Sequence, residues 1–199
     1  MKISLYILIL ALCGCNIQMN TPQTNNIRQV VSNKSLPDVT ITNMPQTIDE
    51  FSSLSQQNNT PEGTVAMTIV AMWIYAEDQD LGQKAMSVIA HPEVQNPGQK
   101  GVNGVQLRNI DLQRMKDRIK GKRYMPQSYF KGTTPPQYNA TAPYTVETFT
   151  NPHSNIGKGA LKVMVYCNGA ASPRPVTVQP SNGVWKVKEW SSLLSAVKN

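Results

Sequence analysis

Cys13 and Cys15 stand on either side of Gly14, directly after the apolar stretch Ile3 to Leu12, and only Cys15 has a small residue before it. A thiol at that place is suited to acylation after cleavage between Gly14 and Cys15, so Cys15 is the expected lipidated residue. The third cysteine, Cys167, follows the apolar run Leu161 to Tyr166 and reads as a buried structural thiol, so no intrachain disulfide is expected. The two histidines, His91 and His153, lie far apart in the chain and each adjoins a proline. A zinc site or a histidine base would therefore lack partners nearby in sequence. Gly-rich phosphate loops and G-x-S-x-G elbows are absent from the sequence. The acids Asp49, Glu50, Glu62, Glu77, Asp78 and Asp80 leave a carboxylate pair for glycoside cleavage open, although acids near helix N-termini are also what capping produces. No catalytic residue is assigned, and neither a cofactor nor a metal is expected.

Two loops have the composition of recognition surfaces. Tyr124 to Gly132, containing Tyr129 and Phe130, runs on to Pro135-Pro136-Gln137-Tyr138, and Gly169 to Pro175 holds Arg174 between two prolines. Rigid amphipathic rings give contact area at little entropic cost, and a fixed guanidinium makes a fork for carboxylate or phosphate. Tyr129, Phe130, Tyr138 and Arg174 are therefore the candidate ligand-binding residues. The alternative is that Tyr129 and Phe130 close an edge of the core while Arg174 bonds loop carbonyls.

The order of Lys2, the apolar stretch and Leu12-Cys13-Gly14-Cys15 resembles a bacterial lipobox. The stretch is much shorter than the ~20 residues that span a bilayer, so a retained transmembrane helix fits less well, and an ordinary secretory signal cut at another small residue is the remaining alternative. Acyl chains contribute ~0.8 kcal/mol per buried methylene, enough for two or more on one cysteine to hold a protein at a membrane. Residues 1–14 are thus read as a lipoprotein signal peptide. Residues 15–37, rich in Asn, Gln, Thr and Ser, are read as a disordered tether, and residues 38–199 as one domain. The expected location is the cell envelope, in the periplasm or at the surface, anchored by lipid to the cell membrane or the outer membrane.

Charge adds a polarity to this picture. The net charge is +7, yet no Lys or Arg falls between Thr47 and Asp80, whereas fifteen basic residues and four acids follow from Lys100 onward. Such a basic half suits an anionic surface, a wall polymer or an envelope protein, and an exported protein has no expected nucleic acid partner. A solvated charged face is the plainer reading.

The elements that must position these residues fall into two groups. Val39 to Thr42 alternates as a short strand, and Thr47 with Glu50 forms a capping box for a short helix. Thr60 caps a helix beginning at Pro61, and the uncharged run from Thr64 to Ala76 is apolar nearly all round, as a central core helix must be. Asp80 with Gln83 reads as a further capping box for a helix that His91-Pro92 ends, with His91 at its C-terminus. A loop is expected from Glu93 to Gly104, and then a helix capped by Asn109 and stopped at Gly121. Beyond Tyr124 the period changes to two, with strands at Tyr144 to Phe149, Ala160 to Cys167, Arg174 to Gln179 and Val184 to Trp190, a hairpin at Asn182-Gly183, and a short last helix from Ser191. The fold class is α+β: helices packed on one face of a C-terminal antiparallel sheet of about four strands.

From about Thr47 to the C-terminus, the segments TIDEF, TPEGTVAMTIVAMWIYAED, RYMPQSYFKGTTP, APYTV, GAASPRPVTV and GVWKV resemble an uncharacterised bacterial domain family of predicted exported and lipid-anchored proteins. SYFKG and SPRPV are the most specific parts of the likeness, and the chain departs from the pattern at Ala171, where an acid is common. The family carries no assigned activity. A weaker analogy is to NTF2-like domains, which also place helices before a curved sheet and end on a Gly-x-Trp-Lys-Val strand. The function expected from the residues is a non-catalytic binding or structural module of the envelope. An envelope enzyme acting on glycans or peptides, or a spacer or assembly subunit of an envelope complex, are the alternatives.

Overall fold

The computed structural model describes residues 33–198, so the expected signal segment, Cys15 and most of the tether lie outside the described residues. The elements run β1 (Lys34–Ser35), β2 (Val39–Ile41), α1 (Ile48–Gln57), α2 (Pro61–Glu77), α3 (Gln79–Ile89), β3 (Gln95–Val102) and β4 (Val105–Leu107). They continue with α4 (Asn109–Ile119), α5 (Tyr124–Gln127), β5 (Tyr144–Val146), β6 (Thr148–Thr150), β7 (Leu161–Val165), β8 (Arg174–Ser181) and β9 (Val184–Glu189), and close on a 3-10 turn at Ser191–Leu194. The architecture is α+β, with a five-stranded antiparallel sheet in the order β1-β6-β7-β8-β9.

Helix α2 is the axis of the core. Thr60 Oγ1 accepts from the Gly63 amide at 3.0 Å, Pro61 opens the helix, and every residue from Gly63 to Tyr75 is buried. A helix with no polar stripe has to be covered all round, and α1, α3, α4, α5, β2 and strands β7 to β9 all contact it. Val163, Val165, Val176, Val178 and Val187, alternating along β7 to β9, are fully buried in the same cluster. Each such side chain contributes ~1.5–3 kcal/mol by leaving water. Gly82 of α3 lies against the Tyr75 backbone, with no room for even a Cβ, which lets the two helices approach closely.

Several local expectations change. The cap of α3 is Asp78, whose Oδ1 accepts from the Asp80 and Leu81 amides at 2.9 and 3.1 Å. Asp80 sits two residues after the cap, in the first turn of α3, and pairs with Lys84. His91 is not an end charge on that helix: buried, it uses Nδ1 to accept from the Glu93 amide at 3.3 Å and starts a 3-10 turn. The expected loop from Glu93 to Gly104 is a hairpin, β3 with β4, turning at Asn103 and Gly104, both with positive φ. Its backbone holds it without apolar alternation, and Ser87 of α3 fastens it by accepting from Gln95 and Val102. No side chain caps α4, and Asn109 is its first residue rather than its cap.

The strand expected from Tyr144 to Phe149 divides at Glu147. β5 pairs with β2 as a separate ribbon, while β6 enters the main sheet between β1 and β7. Thr148 and Phe149 are both buried, which a straight strand with one wet face does not do, so the chain changes sheets there. β1 brings Lys34 and Ser35, placed in the tether by the sequence, into the sheet edge opposite Thr150 and Phe149. The β8–β9 hairpin turns on Asn182 and Gly183, with φ of 51° and 76°, as the Asn-Gly signal requires.

Candidate functional site

At the C-terminal end of α2 the core reaches the surface. Trp73 and Glu77 are one turn apart and face the same way, so the indole Nε1 donates to Glu77 Oε1 at 3.2 Å. Arg123 reaches the same carboxylate from the far side: α4 ends at Ile119, Gly121 just beyond it reverses the chain with a φ of +68°, and the Arg123 Nε then pairs with Glu77 Oε1. β5 supplies Tyr144, and Phe130 bridges to Val146 on that strand. Trp73, Phe130 and Tyr144 form a three-ring cluster, with centroids 5.2 to 5.5 Å apart and a T-shaped contact between Trp73 and Tyr144. Such tilted and edge-on contacts contribute ~0.5–1.5 kcal/mol each beyond burial and fix the rings in place.

Two clefts open beside this cluster, of about 550 Å³ and about 390 Å³. They share Trp73, Arg123 and Tyr144, so they lie along one groove that the Glu77–Arg123 pair crosses. The larger cleft is lined by Tyr124, Gln127, Gln137 and Asn139, the smaller by Met44, Gln46 and Leu81. Gln127 is only 7% exposed, on short helix α5, and its carboxamide, which makes no hydrogen bond to another of the described residues, keeps its polar atoms open to solvent. Its remaining exposure is toward the cleft that it lines.

The residues singled out from sequence are placed as follows. Tyr129 is buried, and its hydroxyl donates to the Leu193 carbonyl at 3.0 Å. Burial raises its pKa, the Cys167 thiol adds to this, and the Arg174 guanidinium opposes it, so the phenol stays a neutral donor. Tyr138 is buried too, donates to the Lys198 carbonyl, and is likewise raised, chiefly by desolvation. Phe130 is the inner ring of the groove cluster, behind Trp73 and Tyr144. Arg174 is on the other side of the C-terminal turn, where Nη2 donates to the Ala196 carbonyl at 3.3 Å, and its buried Nε has no partner among the described residues. The structure thus brings Phe130 to the groove and places Tyr129, Tyr138 and Arg174 around the C-terminal segment. Cys15 lies outside the described residues.

Trp73, Tyr144 and Gln127 are the groove residues that sequence reasoning missed. Trp73 is hidden inside an apolar run that reads as core, and its signal is Glu77 one turn later at the helix end. Gln127 sits in the aromatic loop that was expected to recognise a ligand, and Pro136 and Gln137 of the same loop form the groove rim. Among the described residues, no group of three or more His, Cys, Asp or Glu is placed to hold a metal ion, and no helix is long and apolar enough to cross a membrane.

Among known proteins, a family model described as a domain of unknown function (DUF6935) matches residues 43–199. No curated protein and no solved structure matches the chain.

Proposed function

The chain belongs to the family of unknown function DUF6935, and we propose that it is a lipid-anchored binding module of the cell envelope whose ligand lies in the Trp73–Tyr144 groove. The observation that supports this most is Gln127, a residue only 7% exposed whose carboxamide opens on an aromatic cleft and is not used in any hydrogen bond among the described residues. Binding sites of this kind combine apolar lining with few, well-placed polar groups, in volumes of ~300–1,000 Å³. Glu77 is engaged by both Trp73 and Arg123, so the carboxylate nearest the rings is a structural acceptor and not a free base. This favours recognition over turnover.

The anchor belongs to the same proposal. Cys15, after Gly14 at the end of a short apolar stretch, would carry the lipid, and residues 16–32 would space the domain from the membrane. Intact mass of the protein from its native membrane fraction tests it. A mass matching acylation at Cys15, lost to the soluble fraction on Cys15→Ser, is expected, and an unacylated chain beginning elsewhere would refute the anchor. Saturable binding to isolated envelope fractions that falls on Tyr144→Ala is expected of the groove. Binding unchanged by that substitution would refute it.

A further inference from the structure

We infer that the groove takes an uncharged glycan bearing acetamido groups, with one acetamide seated on the Gln127 carboxamide; this rests on the binding reading above. Three observations point to that class. First, the charges that line the groove answer each other, since Glu77 and Arg123 are paired across it and Asp78 caps α3. A charged ligand would have to compete with one partner of this exposed pair for the other, and an uncharged one leaves the pair intact.

Second, beside the Tyr124 and Tyr144 hydroxyls, the uncharged polar groups of the larger cleft are carboxamides, Gln127 inside with Gln137 and Asn139 at the rim, whereas Gln46 in the adjoining cleft already donates to the Met44 carbonyl. A carboxamide presents one acceptor oxygen and one donor nitrogen side by side. An acetamide presents the complementary donor and acceptor, so it engages both groups of the Gln127 carboxamide at once, in place of water. The apolar C–H face of a pyranose ring meets the Tyr144 and Tyr124 rings, which are only half-buried.

Third, a peptide would offer amides as well, but the strand beside the groove has no edge for it. β5 is paired with β2 on one side, and on the other Phe130 bridges Val146 while the Lys131 amide donates to the Thr145 carbonyl at 2.8 Å. Extended peptides bind largely by adding a strand to an open edge. Here both edges of β5 are occupied, which leaves side-chain recognition of a ring-shaped ligand.

The test titrates the full-length protein by calorimetry with three probes: N-acetylglucosamine trimer, the glucose trimer of the same linkage without acetamides, and an N-acetylated, C-amidated alanine tripeptide. The acetamido trimer is expected to bind, with the glucose trimer about thirtyfold weaker, as loss of two hydrogen bonds implies. Gln127→Met, of similar volume, should remove that difference, and Tyr144→Ala should weaken both sugars. Equal binding of the two sugars, binding of the peptide alone, or no binding of the acetamido trimer overturns the inference. Peptide binding that falls on Tyr144→Ala would overturn the ligand class while leaving the groove as the site. Sugar binding indifferent to both substitutions would overturn the groove itself. Comparison of the two sugars requires no variant, so it decides the matter even if Gln127→Met does not fold.

Discussion

Removing one oxygen atom from Tyr129 measures how firmly the SYFKG segment is built into the core. In Tyr129→Phe the ring stays, but the Leu193 carbonyl loses its donor at 3.0 Å inside a buried turn. An orphaned buried acceptor costs ~1–3 kcal/mol, which for a domain of this size lowers Tm by about 2–12 °C. A pH dependence sharpens the test. The folded state raises the Tyr129 pKa above its ordinary value of about 10, so folding favours the protonated phenol. That contribution is fully present below pH ~10 and is lost as pH rises above it, because the unfolded chain then releases a proton that the folded chain keeps. Wild type should therefore lose ~1.4 kcal/mol per pH unit more than Tyr129→Phe above pH ~10. Tyr75 and Tyr138, also raised by burial, are common to both proteins and cancel in the difference. Urea titrations of both proteins from pH 8 to 12 give the curves. Equal stability at pH 8, or parallel curves above pH 10, would refute the reasoning.

Three further outcomes are expected. Gly82→Ala puts a Cβ into the Tyr75 backbone and should destabilise by ~1–3 kcal/mol or more; a melting temperature within one degree of wild type would contradict the close approach of α2 and α3. Desolvation lowers the His91 pKa despite nearby Glu93, with Lys188 also lowering it, so the neutral ring is the folded form. Stability from this site is present above pH ~6.5 and lost as pH falls below it, and His91→Asn, which keeps an acceptor for the Glu93 amide, should flatten the thermal melts between pH 7.5 and 5. Thr148 Oγ1 is buried without a partner among the described residues, so Thr148→Val should match or exceed wild type, by up to ~1 kcal/mol in urea titration; a clear loss would mean that the hydroxyl is bonded.

What was legible in the sequence follows the strength of the local physics. α2 could be read whole because Thr60, Pro61 and an uncharged apolar run all agree, and the β8–β9 hairpin because Asn182-Gly183 suits only left-handed backbone. β3 and β4 were not legible, since Gln95 to Val102 has no alternation and is held by backbone bonds and by Ser87. The choice between Asp78 and Asp80 as the cap of α3 turns on where the preceding helix stops, which neighbouring acids do not reveal. The groove was only half legible. The aromatic loop pointed to the right neighbourhood through Phe130 and Gln137, but Tyr129 and Tyr138 look the same in sequence as rings that face solvent. What separates them is a carbonyl sixty or more positions away, Leu193 for one and Lys198 for the other.

The change of sheets at Glu147 ties the groove to the slowest motions of the domain. β5, which carries Tyr144, and β6, inside the main sheet, are separated by that single residue, so neither can open without straining the other. Amide protons of β5 should then exchange with solvent on the timescale of global unfolding and not through local fraying, although the ribbon it forms with β2 has only two strands. A wall that does not breathe has little order left to gain when a ligand arrives, so selectivity there would come from shape already in place.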